Sequence, residues 1–163
     1  MTDNALQVKI LNAPAAIICL GEYRPRRFNC PRDRFSQMIR QLKHGSPEAI
    51  DYFLPMLEPT LPRGWAVALV PPHTAGPNSG GIYNLARSAA STSMRLDATG
   101  VLCRHTTIPK LSFGGTRTER THFNRIRVHE AYPIQDMHII LLDDVVTTGA
   151  TKVLPVALAK AVY

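Results

Sequence analysis

The sequence predicts an α/β domain of three layers, in which a mostly parallel central sheet has flanking helices on its faces. Candidate strands and helices alternate along the chain, which is the order typical of a parallel sheet. Four consecutive apolar residues, Ile139–Leu142, follow the polar His138. Such a continuous run is typical of a parallel strand that is covered on both faces. Because the chain has no internal repeat and no long linker, we expect residues 1–163 to form one domain.

The bulk composition is that of a globular protein, with 45% apolar and 19% charged residues in a chain of 163. A chain of this length buries about two thirds of its unfolded surface, so it requires no metal or disulfide for stability. No apolar run approaches the roughly 20 residues that span a bilayer. The N-terminus lacks a basic segment followed by an apolar core. We therefore expect a cytoplasmic protein that does not enter the membrane.

Cysteine usage and net charge limit the kinds of site and partner that the protein can have. The three cysteines, Cys19, Cys30 and Cys103, are odd in number and lack C-x-x-C spacing, which argues against a disulfide framework and a zinc site. The net charge is +7, and excess positive charge favours polyanions as partners. Nucleic acid and a highly phosphorylated small molecule both fit this charge, and the sequence alone does not separate them.

The first part of the chain predicts a strand pair and a basic loop. Two short apolar segments, Gln7–Leu11 and Ala15–Leu20, are separated by a turn-like break. The segment Tyr23–Arg34 then carries five arginines and two prolines without periodicity. This segment is either a solvated surface loop or a patch that contacts an anion.

Two helices follow the basic loop. The first is predicted from about Arg34 to His44, with Gly45 as its stop, because apolar residues recur at helical spacing. The second begins at Ser46 as N-cap, with Pro47 at the first helical position.

The remaining elements belong to the sheet and its connections. Trp65–Val70 predicts the first strand inside a parallel sheet. The glycine-rich segment Gly76–Gly81 leads into a helix over Ile82–Ala90. Val101–Cys103 is a short strand candidate, and the alternation in Arg125–Val128 predicts an edge strand.

The candidate site begins where the strand Ile139–Leu142 ends. Asp143 and Asp144 stand at its C-terminal end, where open α/β sheets place their ligands. The hydroxyl-rich turn Thr147–Thr151 then opens a predicted helix, and the free N–H groups of a helix start favour a phosphate. Carboxylates repel phosphate but accept hydrogen bonds from the vicinal hydroxyls of a sugar. The spacing therefore predicts a sugar phosphate as ligand, and the alternative is an ordinary solvated turn.

The run from Ile139 to Thr151 closely resembles the signature of the type I phosphoribosyltransferases, which bind phosphoribosyl pyrophosphate (PRPP). The resemblance implies that Asp143 and Asp144 contact the 2′- and 3′-hydroxyls of the ribose. It also implies that the following loop wraps the 5′-phosphate, through the substrate-binding residues Val145, Val146, Thr147, Thr148, Gly149, Ala150 and Thr151.

Three weaker motifs are similar to the ComF-like, competence-associated branch of that family: Ile39–Gly45, Val67–His73 and Arg104–Arg127. The resemblance implies a core over residues 63–163 with the PRPP loop, and a hood or cap of strands and helices over residues 1–62. The chain departs from the family in three respects. The N-terminal cysteine clusters that bind zinc in that branch are absent. The family usually continues into another strand after the phosphate-loop helix, so either the sequence is truncated, or the sheet lacks its last strand, or Ala161–Tyr163 is what remains of it. The arginine-rich segment common after the first core strand is replaced by Thr74–Asn84.

The family's reaction is the transfer of a phosphoribosyl group from PRPP to a nitrogen base with release of pyrophosphate. By this resemblance the chain is a pentosyltransferase, with Asp143, Asp144 and Arg120 as its catalytic residues. Mg²⁺ is the implied cofactor, held by substrate and water near the two acids without a direct protein cage. The candidates around pyrophosphate are a loop and its cationic neighbours: Pro71, Pro72, His73, Thr74, Arg104, Lys110 and Arg117.

Other functions stay open at this point. His73 and His105 are candidate proton donors or acceptors, or ordinary surface residues. The chain is alternatively a catalytically weak or inactive module that senses PRPP or a nucleoside monophosphate. In that alternative its basic surface acts in a nucleic-acid-linked complex, for DNA uptake or defence. A homo-oligomer or a partner protein that supplies the missing strand is a further alternative.

Overall fold

The computed structural model describes residues 7–10, 16–24, 33–108, 124–129 and 131–144. These residues form an α/β fold with a small parallel sheet and three helices. A single 3₁₀ turn, Glu58–Thr60, follows the second helix. The strands and helices are β1 (Gln7–Ile10), β2 (Ala16–Cys19), α1 (Arg34–Lys43), α2 (Pro47–Leu57), β3 (Ala66–Leu69), α3 (Gly81–Ser91), β4 (Leu96–Asp97), β5 (Leu102–Arg104), β6 (Ile126–Val128) and β7 (Ile139–Leu142).

The central sheet has the order β4-β3-β7, and β3 is parallel to both neighbours. Leu69 of β3 pairs with Leu142 of β7, so the C-terminal ends of the two strands meet at one edge of the sheet. All four residues of β3 are buried, whereas all four residues of β7 are only half-buried. The predicted parallel strand is therefore confirmed. Its expected cover on both faces is not complete, because β7 lies at an edge of this three-stranded sheet.

Two antiparallel pairs accompany the central sheet. The predicted N-terminal pair is confirmed, with β1 antiparallel to β2. The predicted edge strand β6 is also confirmed, and it pairs with β5. The two-residue strand β4 was absent from the sequence prediction. Main-chain bonds define it, since Leu96 N donates to Trp65 O and Ala98 N donates to Val67 O.

The ends of the helices follow from local chemistry. Helix α1 starts after Asp33, whose carboxylate accepts a hydrogen bond of 2.7 Å from Ser36 N. It ends before Gly45, whose φ of 76° is in the left-handed region that glycine adopts readily. Ser46 is the N-cap of α2 as predicted, and Pro47 follows it, but the Ser46 hydroxyl makes no capping bond.

The core lies on both faces of β3. On one face, helices α1, α2 and α3 share a cluster with Ile140 and Leu142 of β7 packed against it. On the other face, Ala66 and Ala68 pack against a layer that includes β5 and β6. Helices α1 and α2, from the segment 1–62 predicted to be a cap, are thus part of the helical layer. In the described part of the chain, the second layer is built of short strands and turns.

An ion pair of the buried Arg95 with Glu58 fastens the 3₁₀ turn after α2 to the segment after α3. The Arg95 side chain is 2% exposed and its Nη1 lies 3.0 Å from Glu58 Oε1. Arg95 also donates to the main-chain oxygens of Ala89, Leu61 and Pro62. Burial raises the pKa of the Glu58 carboxyl, but hydrogen bonds from Thr92 and Arg95 and the charge of Arg95 together hold that pKa below its ordinary value.

We predict that Glu58→Gln lowers the free energy of unfolding at pH 7 by about 2 kcal/mol, because it leaves the Arg95 guanidinium buried without a counter-charge. The native pKa of Glu58 lies below its unfolded value. Its contribution is therefore present above the unfolded pKa and is lost as the pH falls through the native pKa. Urea unfolding between pH 7 and pH 3 checks this.

The difference between the natural chain and Glu58→Gln should shrink on acidification. Asp51→Asn, at an exposed position of α2, is the matched control and should stay within about 0.5 kcal/mol of the natural chain. A difference that is the same at every pH would contradict the assignment.

Candidate functional site

The candidate site lies at the edge of the sheet where β3 and β7 end. Val70 N donates to Leu142 O at 3.0 Å, which extends the pairing one residue beyond β3. Asp143 and Asp144 follow β7 on this edge, and the segment Val70–Thr74 follows β3 beside them. The structure therefore brings the predicted acids and the predicted pyrophosphate loop to the same edge, which is the ligand-binding edge of open α/β sheets.

The two acids are joined to each other and to a lysine. Asp144 N donates to Asp143 Oδ1 at 2.9 Å, which fixes the first carboxylate against the main chain. Asp144 Oδ2 lies 3.1 Å from Lys43 Nζ, at the end of α1. The Asp144 and Lys43 side chains are 28% and 45% exposed, so both groups are accessible to a ligand.

Lys43 is a candidate site residue that the sequence does not predict. Its segment Ile39–Gly45 only resembles a family motif, and helical spacing assigns no partner to an exposed lysine. The contact joins residues far apart in the chain, so it follows from the packing of α1 beside β7. The only sequence feature that points to Lys43 is its position as a basic residue in the last turn of an amphipathic helix. That feature is not specific, because the helix dipole favours a basic residue there in any case.

The predicted pyrophosphate loop is tied to β5 and the residues after it. Gly76 N donates to Arg104 O at 3.1 Å, and Ile108 N donates to His73 O at 2.9 Å. Ala75 N donates to Thr107 Oγ1 at 2.9 Å. These bonds hold the loop next to β5, so Pro72, His73 and Thr74 lie close to Arg104.

Arg104 differs from the prediction in its surroundings. We expected it on a loop as a cation for pyrophosphate, but it lies on β5 and is only 2% exposed. Its Nε donates to Pro72 O. A buried guanidinium needs such acceptors, and the loop main chain supplies one. Arg104 therefore acts as part of the wall that fixes the loop.

The two candidate histidines have different settings. The His105 ring is engaged locally, with Nε2 3.1 Å from Asn124 O and Nδ1 3.0 Å from Thr106 Oγ1. This position is at the end of the β5–β6 pair. His73 is half-buried on the pyrophosphate loop at the site edge. Of the two, His73 is the one placed to meet a ligand.

The remaining predicted site residues lie outside the described part of the chain. They are Lys110, Arg117, Arg120, Val145, Val146, Thr147, Thr148, Gly149, Ala150 and Thr151.

Within the described residues, no group of three or more His, Cys, Asp or Glu side chains is arranged to hold a metal. No helix of this described part has the length and apolar character needed to cross a membrane. Cys19 and Cys103 are free thiols. Comparison of the chain with protein-family models, curated proteins and solved structures found no match. The function is therefore inferred from the residues and their geometry.

We predict that Arg104→Met increases local opening of the segment Pro72–Gly76 more than it lowers the global free energy of unfolding. Methionine keeps much of the volume but removes the donor to Pro72 O, at a cost of about 2 kcal/mol. Amide hydrogen exchange should become faster at Gly76 and Ile108, whose N–H groups tie the loop to its neighbours. Arg127→Met, at an exposed position of the paired strand β6, is the control and should leave both amides unchanged. Equal protection in both variants would contradict the role of Arg104.

Proposed function

We propose that this chain is a phosphoribosyltransferase-like protein that binds PRPP or a ribose 5-phosphate nucleotide at the edge formed by β3 and β7. The observation that supports it best is the position of Asp143 and Asp144. They are two adjacent carboxylates at the C-terminal end of a parallel strand, and the sequence VVTTGAT follows them directly. The finer assignment to the type I phosphoribosyltransferases, with its PRPP loop over Val145–Thr151, rests on this sequence resemblance.

The chemistry of the acids suits the sugar half of the ligand. Ionised carboxylates are acceptors only, and a vicinal diol offers two donors. Hydrogen bonds to a charged group contribute about 1.5–3 kcal/mol each when they are shielded from water. The phosphate half requires N–H donors, which the small hydroxyl-rich turn after the acids would supply.

The proposed reaction transfers the phosphoribosyl group to a nitrogen base. The C1–O bond to pyrophosphate breaks and a C1–N bond forms, with positive charge on the ribose in between. Asp143 and Asp144 hold the ribose in place during this displacement, and Arg120 together with the segment Pro72–Thr74 contacts the departing pyrophosphate.

The donor set at this edge fits Mg²⁺ bound in part by substrate. Asp143 and Asp144 offer carboxylate oxygens, one of them already paired with Lys43, which leaves an open set in place of a closed cage. Such a set suits an ion that keeps several waters and takes phosphate oxygens from its substrate. When bound, Mg²⁺ neutralises charge on the pyrophosphate.

A second candidate is a PRPP- or nucleotide-sensing module without significant turnover. The burial of Arg104 favours it, because this guanidinium is committed to Pro72 O and the arginine-rich segment typical of the family is replaced by Thr74–Asn84. Fewer cations then face the leaving group. In this candidate the net charge of +7 serves a nucleic-acid partner.

The two candidates differ in pyrophosphate release. We expect release when the protein is incubated with PRPP, Mg²⁺ and a panel of nitrogen bases, followed by a coupled phosphate assay. PRPP binding measured by calorimetry without any release favours the sensing module. Absence of both binding and release contradicts the proposed function.

We predict that the double change Asp143→Asn and Asp144→Asn weakens PRPP binding about 30-fold or more, because it removes two charge-assisted acceptors of sugar hydroxyls. Calorimetric titration gives the affinity, and the urea midpoint shows that the fold is intact. Asp136→Asn, an exposed position shortly before β7, is the isosteric control and should bind as the natural chain does. Unchanged affinity in the double variant would sink the assignment of the acids.

A further inference from the structure

The end of α1 contacts two other parts of the fold. Lys43, its last residue, pairs with Asp144 after β7, and its last turn lies against the start of α3. A side chain at Gly81 would collide with the main-chain oxygen of Leu42 and crowd Gly45, so the absence of one at Gly81 allows the end of α1 to approach the start of α3 closely. His44 N donates to Gln41 O at 3.0 Å and Gly45 N donates to Leu42 O at 2.9 Å, which fixes the last turn of α1. These contacts fix the end of α1, from which the Lys43 side chain reaches Asp144.

The ammonium group of Lys43 is also held. Its Nζ lies 3.1 Å from Asp144 Oδ2 and 5.7 Å from the centroid of the Tyr23 ring. Both distances are within the range of an ion pair and a cation–π contact. The Lys43 side chain is nevertheless 45% exposed, so solvent or a ligand reaches it.

This ion pair contributes little to the fold. Solvent-exposed ion pairs add little to stability, whereas the Arg95 guanidinium is 2% exposed and donates further hydrogen bonds besides its pair with Glu58. A weak pair at the edge of the sheet opens readily, and its two groups are complementary to a hydroxyl. An ammonium has three N–H donors and a carboxylate is an acceptor only, so one hydroxyl can accept from the first and donate to the second.

We propose that Lys43 is a specificity-determining residue that binds the same sugar hydroxyl as Asp144 and so selects ribose over a deoxyribose. The inference rests on the proposed function and extends it to a residue on α1. When a hydroxyl is bound by both a donor and an acceptor, the site discriminates strongly against the deoxy sugar, because loss of the hydroxyl leaves two polar groups unpaired.

The test is a cycle of three ligands and four forms of the full chain. The ligands are ribose 5-phosphate, 2-deoxyribose 5-phosphate and 3-deoxyribose 5-phosphate. The proteins are the natural chain, Lys43→Met, Lys43→Arg and Arg40→Met. Arg40 lies in the same last turn of α1, so Arg40→Met is the matched control for the loss of one positive charge and of its interaction with the helix dipole. Calorimetry gives each affinity.

In the natural chain, removal of one of the two hydroxyls should weaken binding about 30-fold. In Lys43→Met the same removal should weaken it less than about 5-fold, since one of the two partners is already gone. Lys43→Arg keeps N–H donors and should restore most of the discrimination. Arg40→Met should discriminate as the natural chain does.

Each contrary outcome has its own meaning. If the natural chain binds PRPP but none of the three sugar phosphates, this inference fails while the proposed function stands. If it binds neither PRPP nor the sugar phosphates, both fail. If ribose 5-phosphate binds but Lys43→Met discriminates as strongly as the natural chain, the role of Lys43 is wrong while the proposed function stands. The same conclusion follows if Lys43→Met weakens all three ligands equally, or if it binds ribose 5-phosphate more tightly.

Discussion

The in-register parallel pairing of β3 with β7 is the constraint on which the candidate site depends. Val67 and Leu69 of β3 face the helical layer together with Ile140 and Leu142 of β7. The alternate residues of both strands face the opposite layer. A slip of one residue would exchange these faces and expose the apolar set, so burial on both sides fixes the register. Because the register is fixed, the acids after β7 always lie beside the loop after β3.

The helical layer then determines what surrounds the acids. Helix α1 approaches the start of α3 because Gly81 has no side chain to separate them. The buried contact between Arg95 and Glu58 fastens the end of α2 to the segment after α3. Charge is thus used in two ways in this fold. The buried Arg95 guanidinium, with its pair to Glu58 and its further hydrogen bonds, holds elements together. The pair of Lys43 with Asp144 is accessible to solvent at the edge of the sheet.

Local patterns in the sequence were sufficient for most elements. The spacing of Phe35, Ile39 and Leu42 predicts α1, and continuous apolar runs predict β3 and β7. The features that could not be predicted depend on contacts between distant residues. Strand β4 is only two residues long and is defined by main-chain bonds to β3.

The surroundings of two cations illustrate the same limit within the site. Arg104 stands at the start of a long polar stretch, where a solvated position is the natural expectation. Its burial depends on the carbonyl of Pro72, 32 residues earlier. Likewise, the ammonium of Lys43 meets Asp144 only after α1 has packed beside β7. Periodicity assigns a residue to a face of its own element, and it contains no information about the partner across the site.

The two candidate functions differ in how many cations they need near the pyrophosphate. Near the acids, Lys43 is engaged with Asp144 and Arg104 with Pro72 O. Departing pyrophosphate requires cations that are not committed in this way, because its charge rises as the bond to C1 breaks. The segment 109–123 contains further cations. Ile108, the residue that precedes it, donates its main-chain N–H to His73 O at the edge of the site. In the proposed transferase, turnover would depend on Arg117 and Arg120 contacting the leaving group, whereas binding of the sugar would depend on the acids and their neighbours.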